Sequence, residues 1–172
     1  MSQLFVDQIG EKTSGNKITL NNTLKVDTIE PKTSGGAVGL ATPLFKLHKP
    51  SGNQSISNNT NTEVTWGTAF HDTHSIADLS NNRIVITNTT AGYWWIGSAL
   101  YYSSRPPRGI LYIYKNGSNY AAFEHVGSGT GSTTYPTVFG SVLMQVVSGD
   151  IISINTYHNY GSAINVTDGS AG

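Results

Sequence analysis

The histidines of His71-Asp72-Thr73-His74 are the side chains in this sequence best suited to metal chemistry. Zinc takes His and carboxylate ligands in a tetrahedral cluster, and His125 or His158 could complete one. No spacing fixes a third ligand, however. We therefore interpret the segment as a polar loop, and we expect neither a metal nor another cofactor.

Side chains for hydrolysis are present, but they do not form a known catalytic motif. Gly127-Ser128-Gly129 lacks the Gly-x-Ser-x-Gly context of a nucleophile elbow between a strand and a helix. The glycine-rich run at 127–132 lacks the Gly-Lys-Ser/Thr ending of a phosphate loop and favours a surface loop. Few carboxylates are available for paired acid–base chemistry. We predict that the protein is not an enzyme.

Two aromatic pairs, Trp94-Trp95 and Tyr101-Tyr102, are the stronger functional signal. On one strand they alternate sides, so that one member of each pair enters the core and the other points outward. The outward rings would then line a contact between copies or stack on sugar rings. The residues predicted for a trimer core or interface are Trp94, Trp95, Tyr101, Tyr102, Tyr112 and Tyr114.

A stiff basic loop follows the second aromatic pair. Arg105 and Arg108 flank Pro106-Pro107, and each proline fixes its own φ and restrains the residue before it. Arginine is enriched at binding hot spots. The two arginines are therefore predicted to lie on an exposed loop that contacts a partner.

Composition limits the classes of function. The 172 residues include 10 Lys+Arg against 10 Asp+Glu, so the chain has no basic footprint for nucleic acid. Nine Tyr, five Phe and three Trp can form a real core, whereas disordered chains are poor in aromatics. There is no Cys, no signal-peptide pattern and no apolar run long enough for a bilayer. We expect synthesis in a cytoplasm and no membrane insertion.

The elements that must position these side chains are strands. Segments of β type recur at short intervals between turn signals, which is typical of a sandwich or barrel. Pro50–Thr62 is polar and is predicted to be a long loop, and Asn116-Gly117 predicts a hairpin. The predicted strands are Glu63–Phe70, Ser75–Thr87, Gly92–Ser103, Gly109–Lys115, Tyr120–Val126, Thr137–Val147 and Asp150–Tyr160.

The first forty residues contain a repeat with an offset of twenty. Leu4–Gly15 returns as Leu24–Gly35, and the shared Val-Asp and Lys-Thr-Ser-Gly blocks argue against chance similarity. Apolar residues alternate within each unit, as in a strand, but one unit has too little apolar surface to fold alone. We predict that residues 1–44 form a β-repeat stem built by several chains, and that residues 45–172 form a head.

Three blocks of the head resemble C1q-like and TNF-like jelly rolls. They are Ile84–Ile96 with its Gly-Tyr step, Ile110–Gly117 with its Asn-Gly ending, and Val142–Ile154 with its Gly-Asp step. The resemblance implies an all-β jelly-roll β-sandwich that forms homotrimers, with aromatic-rich inner faces packed along a three-fold axis and no catalytic residues. The family closes with a terminal strand at the centre of its inner sheet. Here either Ala163–Val166 takes that place, or the sequence ends early.

The N-terminal repeat carries a second resemblance. The opening Met1–Leu4 followed by Leu-Lys-Val-Asp-Thr-Ile at 24–29 is similar to virion fibre proteins of marine and cyanobacterial tailed phages. This implies a short tail fibre or fibre tip whose trimeric heads bind a host receptor or glycan and whose N-terminal region contacts other virion proteins. The alternative is a capsid decoration protein that stabilises the shell. Either role would place the protein in the virion.

Overall fold

The computed structural model describes residues 43–49, 52–126 and 136–167. The predicted stem therefore lies almost entirely outside the described residues, as does the predicted loop at 127–132, and the domain boundary after residue 44 stays a prediction. Within the described part the chain is all-β apart from one short 3-10 turn at Leu79–Asn81, which confirms the predicted class. No helix in this part has the length and apolarity needed to cross a bilayer.

The described strands fall into two layers and one additional pair. The strands are β1 (Phe45–His48), β2 (Gln54–Ile56), β3 (Thr62–Glu63), β4 (Thr68–Asp72), β5 (Ala77–Asp78), β6 (Arg83–Val85), β7 (Gly92–Tyr102), β8 (Arg108–Lys115), β9 (Ser118–Val126), β10 (Thr137–Val146), β11 (Ile151–His158) and β12 (Ile164–Thr167). One sheet has the order β10-β7-β12-β2, and the other has the order β5-β6-β11-β8-β9 with β3 beside β11. β1 pairs only with β4 among the described strands.

The core lies between the two sheets and is mainly aliphatic. In β11, alternate residues from Ile152 to His158 are buried, so this strand turns one complete face inward. Each large aliphatic side chain removed from water contributes about 1.5–3 kcal/mol. The fully buried members of the cluster include Ile56, Val64, Ile86, Leu111, Ile113, Met144, Val146, Ile152 and Val166.

The predicted hairpin at Asn116-Gly117 is confirmed. Both residues have positive φ, at 53° and 76°, and they join β8 to β9. The Asn116 side chain also donates to Asp150 Oδ1 at 2.7 Å and accepts from the Ile151 backbone N–H at 2.8 Å. The turn is thereby tied to the start of β11, which a local sequence signal does not indicate.

Two sequence predictions about the early part of the head were wrong in detail. The polar segment predicted as one long loop contains β2, where Ile56 is fully buried and pairs with Ile164. The two long strands predicted at Glu63–Phe70 and Ser75–Thr87 are each broken into short strands. Ladder partners from β11 and β12 recruit these short segments, and such distant partners leave no local pattern.

Candidate self-association face

The longest strand pairing in the described chain joins β7 to β10. The two strands align antiparallel without a register shift, from Thr137 opposite Tyr101 to Val146 opposite Gly92. Because successive side chains of a strand alternate, one face of this pair points to the core and the other points away from it. The two strands therefore form a rigid platform for whatever side chains lie on the outward face.

That outward face is strongly apolar. Tyr93, Trp95 and Phe139 are 72%, 71% and 73% exposed, and Leu143 is 54% exposed. Trp95 lies directly opposite Leu143 across the ladder, so their side chains are neighbours. The three aromatic rings alone expose roughly 300–500 Å², which matches the largest apolar patch of a typical monomer. We call the outward side chains Tyr93, Trp95, Tyr101, Phe139 and Leu143 the apolar face.

Small residues lie at the middle of the apolar face. Gly97 faces Ser141, and a Cβ added to Gly97 would lie 3.0 Å from the Ser141 Cβ. The centre is therefore lower than the rings on either side, and another surface can approach the strands closely there. Such a surface, with aromatic rings around a shallow centre, suits contact with an apolar partner better than exposure to water.

The structure separates the predicted aromatic pairs. Trp94 is 8% exposed and its indole Nε1 donates to the Thr90 carbonyl at 2.7 Å, whereas its neighbour Trp95 lies on the apolar face. Tyr102 is fully buried and Tyr101 is 40% exposed. Trp94 and Tyr102 therefore belong to the core of a single chain, and Trp95 and Tyr101 remain available to a partner.

A buried polar network holds Tyr102 in place. Its hydroxyl lies 2.5 Å from Thr156 Oγ1, which in turn donates to the Ile110 carbonyl at 2.9 Å. Burial raises the pKa of Tyr102 to about 12, although the hydrogen bond with Thr156 acts in the opposite direction. The ring packs edge-on against His158, with centroids 6.3 Å apart. The phenol therefore stays neutral and fixes the end of β7 against β11.

The other two predicted aromatics lie on the opposite sheet. Tyr112 and Tyr114 alternate with the buried Leu111 and Ile113 on β8, and their rings meet edge-on with centroids 6.0 Å apart. The Tyr114 hydroxyl accepts from Asn61 Nδ2 at 2.6 Å. Both rings are partly exposed, and they lie in a different sheet from the apolar face. We call this surface, with Arg108 and Glu124, the tyrosine face.

The two arginines predicted to contact a partner differ in their surroundings. Arg108 pairs with Glu124 through Nε and Nη2, at 2.7 and 3.2 Å, and this pairing raises its pKa. The Nε of Arg105 is buried and has no hydrogen-bond partner. Pro106 between them is buried, so part of the loop is anchored rather than fully exposed. Arg108 is therefore committed to an exposed ion pair, and Arg105 retains an unused donor.

The histidine segment has a structural role at its centre. The Asp72 carboxylate accepts from the Ile76 and Ala77 backbone N–H groups, each at 2.9 Å, and so closes the turn after β4. His74 Nδ1 lies 2.8 Å from Thr73 Oγ1. Within the described ranges, no three His, Cys, Asp or Glu side chains come together as a metal site would require.

Three members of the apolar face were not predicted from the sequence. Tyr93, Phe139 and Leu143 stand beside the predicted residues, but only the ladder shows that they share one surface with Trp95. A signal was available in β10, because Val138 and Met144 face the core while Phe139 and Leu143 on the opposite face are also apolar. A strand that is apolar on both faces needs a second partner surface.

Solved structures with a similar backbone identify the fold. The globular domain of zebrafish complement 1qA protein matches with a TM-score of 0.50 and 14% identity, covering 73% of this chain and 93% of that one. Eiger TNF from S. frugiperda matches with a TM-score of 0.50 and 10% identity, covering 74% and 92%. The chain has a C1q/TNF-like jelly-roll fold. No protein-family model and no curated protein sequence matches it.

This jelly-roll fold confirms the predicted sandwich and leaves the predicted trimer and phage origin as proposals. At 10–14% identity the likeness concerns the backbone alone. The segment Ile164–Thr167 forms β12 and lies between β7 and β2. Within the described residues, it pairs with Tyr101 and Tyr102 at the end of β7.

Proposed function

We propose that this protein is a homotrimeric, non-enzymatic binding protein of a virion, most simply a short tail fibre or fibre tip. The observation that carries the proposal is the apolar face on β7 and β10. Covering Tyr93, Trp95 and Phe139 would remove a water-exposed aromatic surface that a free monomer would have to keep in solvent. The jelly-roll fold supports a three-fold arrangement, because the resembled family packs aromatic-rich inner faces along its axis.

The tyrosine face is the surface that we propose for the host. It lies on the sheet opposite the apolar face, so self-association through β7 and β10 would leave it free. Tyrosine provides an apolar ring with a polar end, and the Arg108–Glu124 pair adds both charges, which suits a polar receptor or a glycan. Each trimer would present three heads, and each particle would carry many copies. This multivalency would raise avidity well above that of one weak contact.

The N-terminal repeat supports placement in a virion. Its similarity to phage fibre stems suggests that residues 1–44 join the head to other virion proteins. A capsid decoration protein would use the same trimer, but it would bind the shell lattice instead of a host.

An adsorption assay with the purified full-length protein tests the proposal. We expect added protein to compete with virions for the host surface, and we expect an antibody against it to label the tail. If the antibody labels the capsid lattice and the added protein does not compete with virions, the protein is a capsid decoration protein and not a tail fibre. Absence of the protein from purified particles would refute both roles.

A further inference from the structure

The turn between β8 and β9 contains the one asparagine in the sequence that is followed by glycine, Asn116-Gly117. Because glycine has no Cβ, its backbone nitrogen can approach the asparagine Cγ closely. An asparagine in this setting is the kind that loses its side-chain ammonia most readily. Both residues are exposed at the tip of the hairpin, so water reaches them. The turn therefore holds the groups that a deamidation requires.

Deamidation of this turn needs no reactant other than water. The Gly117 backbone nitrogen gives its proton to hydroxide and forms a bond to the Asn116 Cγ. The bond from Cγ to Nδ2 breaks, and Nδ2 takes a proton from water and leaves as ammonia. A further water molecule opens the resulting five-membered imide at either carbonyl, which leaves aspartate or isoaspartate at position 116. Nothing is oxidised or reduced in either step.

The folded turn holds the Asn116 amide away from Gly117. Asn116 Nδ2 donates to Asp150 Oδ1 at 2.7 Å, and Asn116 Oδ1 accepts from the Ile151 backbone N–H at 2.8 Å. The Asn116 backbone N–H also donates to the Ile151 carbonyl at 2.8 Å. Both polar ends of the side chain are therefore bound at the start of β11. Closing the imide ring requires the amide to turn onto Gly117, and this movement breaks both side-chain hydrogen bonds.

The acceptor that holds the amide is itself fixed and charged. Asp150 is buried, and its Oδ2 accepts from the Val147 N–H at 2.8 Å and lies 2.9 Å from Lys115 Nζ. The hydrogen bonds from Lys115, Val147 and Asn116 lower the pKa of Asp150 to about 2, so the carboxylate is ionised at neutral pH. Hydrogen bonds to an ionised acceptor are stronger than neutral ones. The amide is therefore held firmly for as long as the turn stays beside β11.

We propose that Asn116 is a latent deamidation site, protected by Asp150 and Ile151 while the turn lies against β11 and modified irreversibly once the turn detaches. The product places a second carboxylate where Asn116 Nδ2 donates, directly against Asp150. Two carboxylates at this distance oppose each other's ionisation. Isoaspartate also adds one methylene to the backbone of a two-residue turn, which then no longer matches the twist of its strands. A transient opening of the hairpin thus becomes a permanent loosening.

Peptide mapping by mass spectrometry measures the reaction in the full-length protein during incubation at mildly alkaline pH. The readout is the mass difference between an amide and a carboxylic acid at Asn116. We expect the folded chain to react at least tenfold more slowly than the same chain unfolded in urea. It should also react at least tenfold more slowly than a synthetic peptide with the sequence of residues 114–120. Equal rates in the folded and unfolded chains would show that the turn protects nothing.

Two variants separate local protection from overall stability. Asp150→Ala removes the charged acceptor, and we expect the rate at Asn116 to rise at least tenfold, because a hydrogen bond to a charged group is worth about tenfold or more in an equilibrium. Gly140→Ala is the control, since its Cβ would overlap the Phe123 ring and destabilise the head away from this turn. Its rate should stay within twofold of the native chain. Equal increases in the two variants, or none in Asp150→Ala, would overturn the inference.

The effect of the product is measured separately with Asn116→Asp, in case Asp150→Ala does not fold. This substitution should lower the melting temperature more at about pH 7 than at about pH 3, since the new carboxyl is protonated and donates again at the lower pH. Adding Asp150→Asn exchanges the two side chains and restores one donor facing one acceptor. The double variant should recover at least half of the loss at pH 7. An equal loss at both pH values, or no recovery, would contradict the proposed repulsion. None of these measurements depends on a trimer, a host or a virion.

Discussion

Replacing Trp95 by Ser removes the largest side chain of the apolar face without touching the core. Trp95 is 71% exposed, and complete burial of an aromatic side chain removes about 150–250 Å² from water. Covering the exposed part removes roughly 110–180 Å², which is about 3–4 kcal/mol at ~25 cal/mol per Å². Trimer formation gains only part of this free energy, because side-chain ordering and desolvation of polar groups oppose it. We therefore use about 2 kcal/mol per copy as the contribution of Trp95 to association.

Three copies then lose about 6 kcal/mol, which lowers the trimerisation constant by roughly 10⁴. The midpoint concentration scales as the square root of that constant, so we expect it to rise about 100-fold. Sedimentation velocity or light scattering across nanomolar to micromolar concentrations measures the midpoint directly. The thermal unfolding of the substituted monomer should remain cooperative, because Trp94 and the buried aliphatic core are unchanged.

Tyr120→Ser is the matched control for this prediction. Tyr120 is 46% exposed and lies on β9 of the other sheet, so its loss removes a large exposed ring from outside the apolar face. We expect an unchanged midpoint for this variant. If Trp95→Ser and Tyr120→Ser behave alike, or if the unsubstituted chain is monomeric throughout, β7 and β10 do not form the interface.

Three other predictions concern the head itself. Gly140→Ala should lower the free energy of unfolding by about 1–3 kcal/mol, since a Cβ there would overlap the Phe123 ring. A melting temperature equal to that of the native chain would show that the ring can move aside without cost. Hydrogen bonds from Lys115, the Val147 N–H and Asn116 lower the pKa of Asp150 to about 2 from an ordinary 3.8. The charged carboxylate therefore stabilises the fold above about pH 4. Its contribution, on the order of 2 kcal/mol, is lost as the pH falls from 4 to 2. The free energy of unfolding of Asp150→Asn, measured in urea, should depend less on pH across that window than that of the native chain. An equal dependence on pH in the two proteins would contradict this. Arg108→Ala should change stability little, because its ion pair with Glu124 is exposed, yet it should weaken competition for the host surface. Undiminished competition by this variant would show that the tyrosine face does not bind the host.

The long strands of the head were accessible from the sequence because their signals are local. Alternating apolar residues and flanking turns predicted β7, β8, β10 and β11 to within a few residues of their bounds. The Asn116-Gly117 hairpin was equally visible, since its positive φ values favour those two residue types. Short strands such as β2 were missed, because three polar-rich residues become a strand only when a distant ladder recruits them.

For function, the sequence determined that aromatic side chains would alternate between core and surface, and it supplied the twenty-residue repeat with its phage-like resemblance. Only the tertiary structure decided that Trp95, Leu143 and Phe139 share one surface. The physical reason is that this surface depends on the register between strands far apart in the chain. Periodicity decides on which side of its own strand a residue lies, whereas pairing decides which other residues it meets.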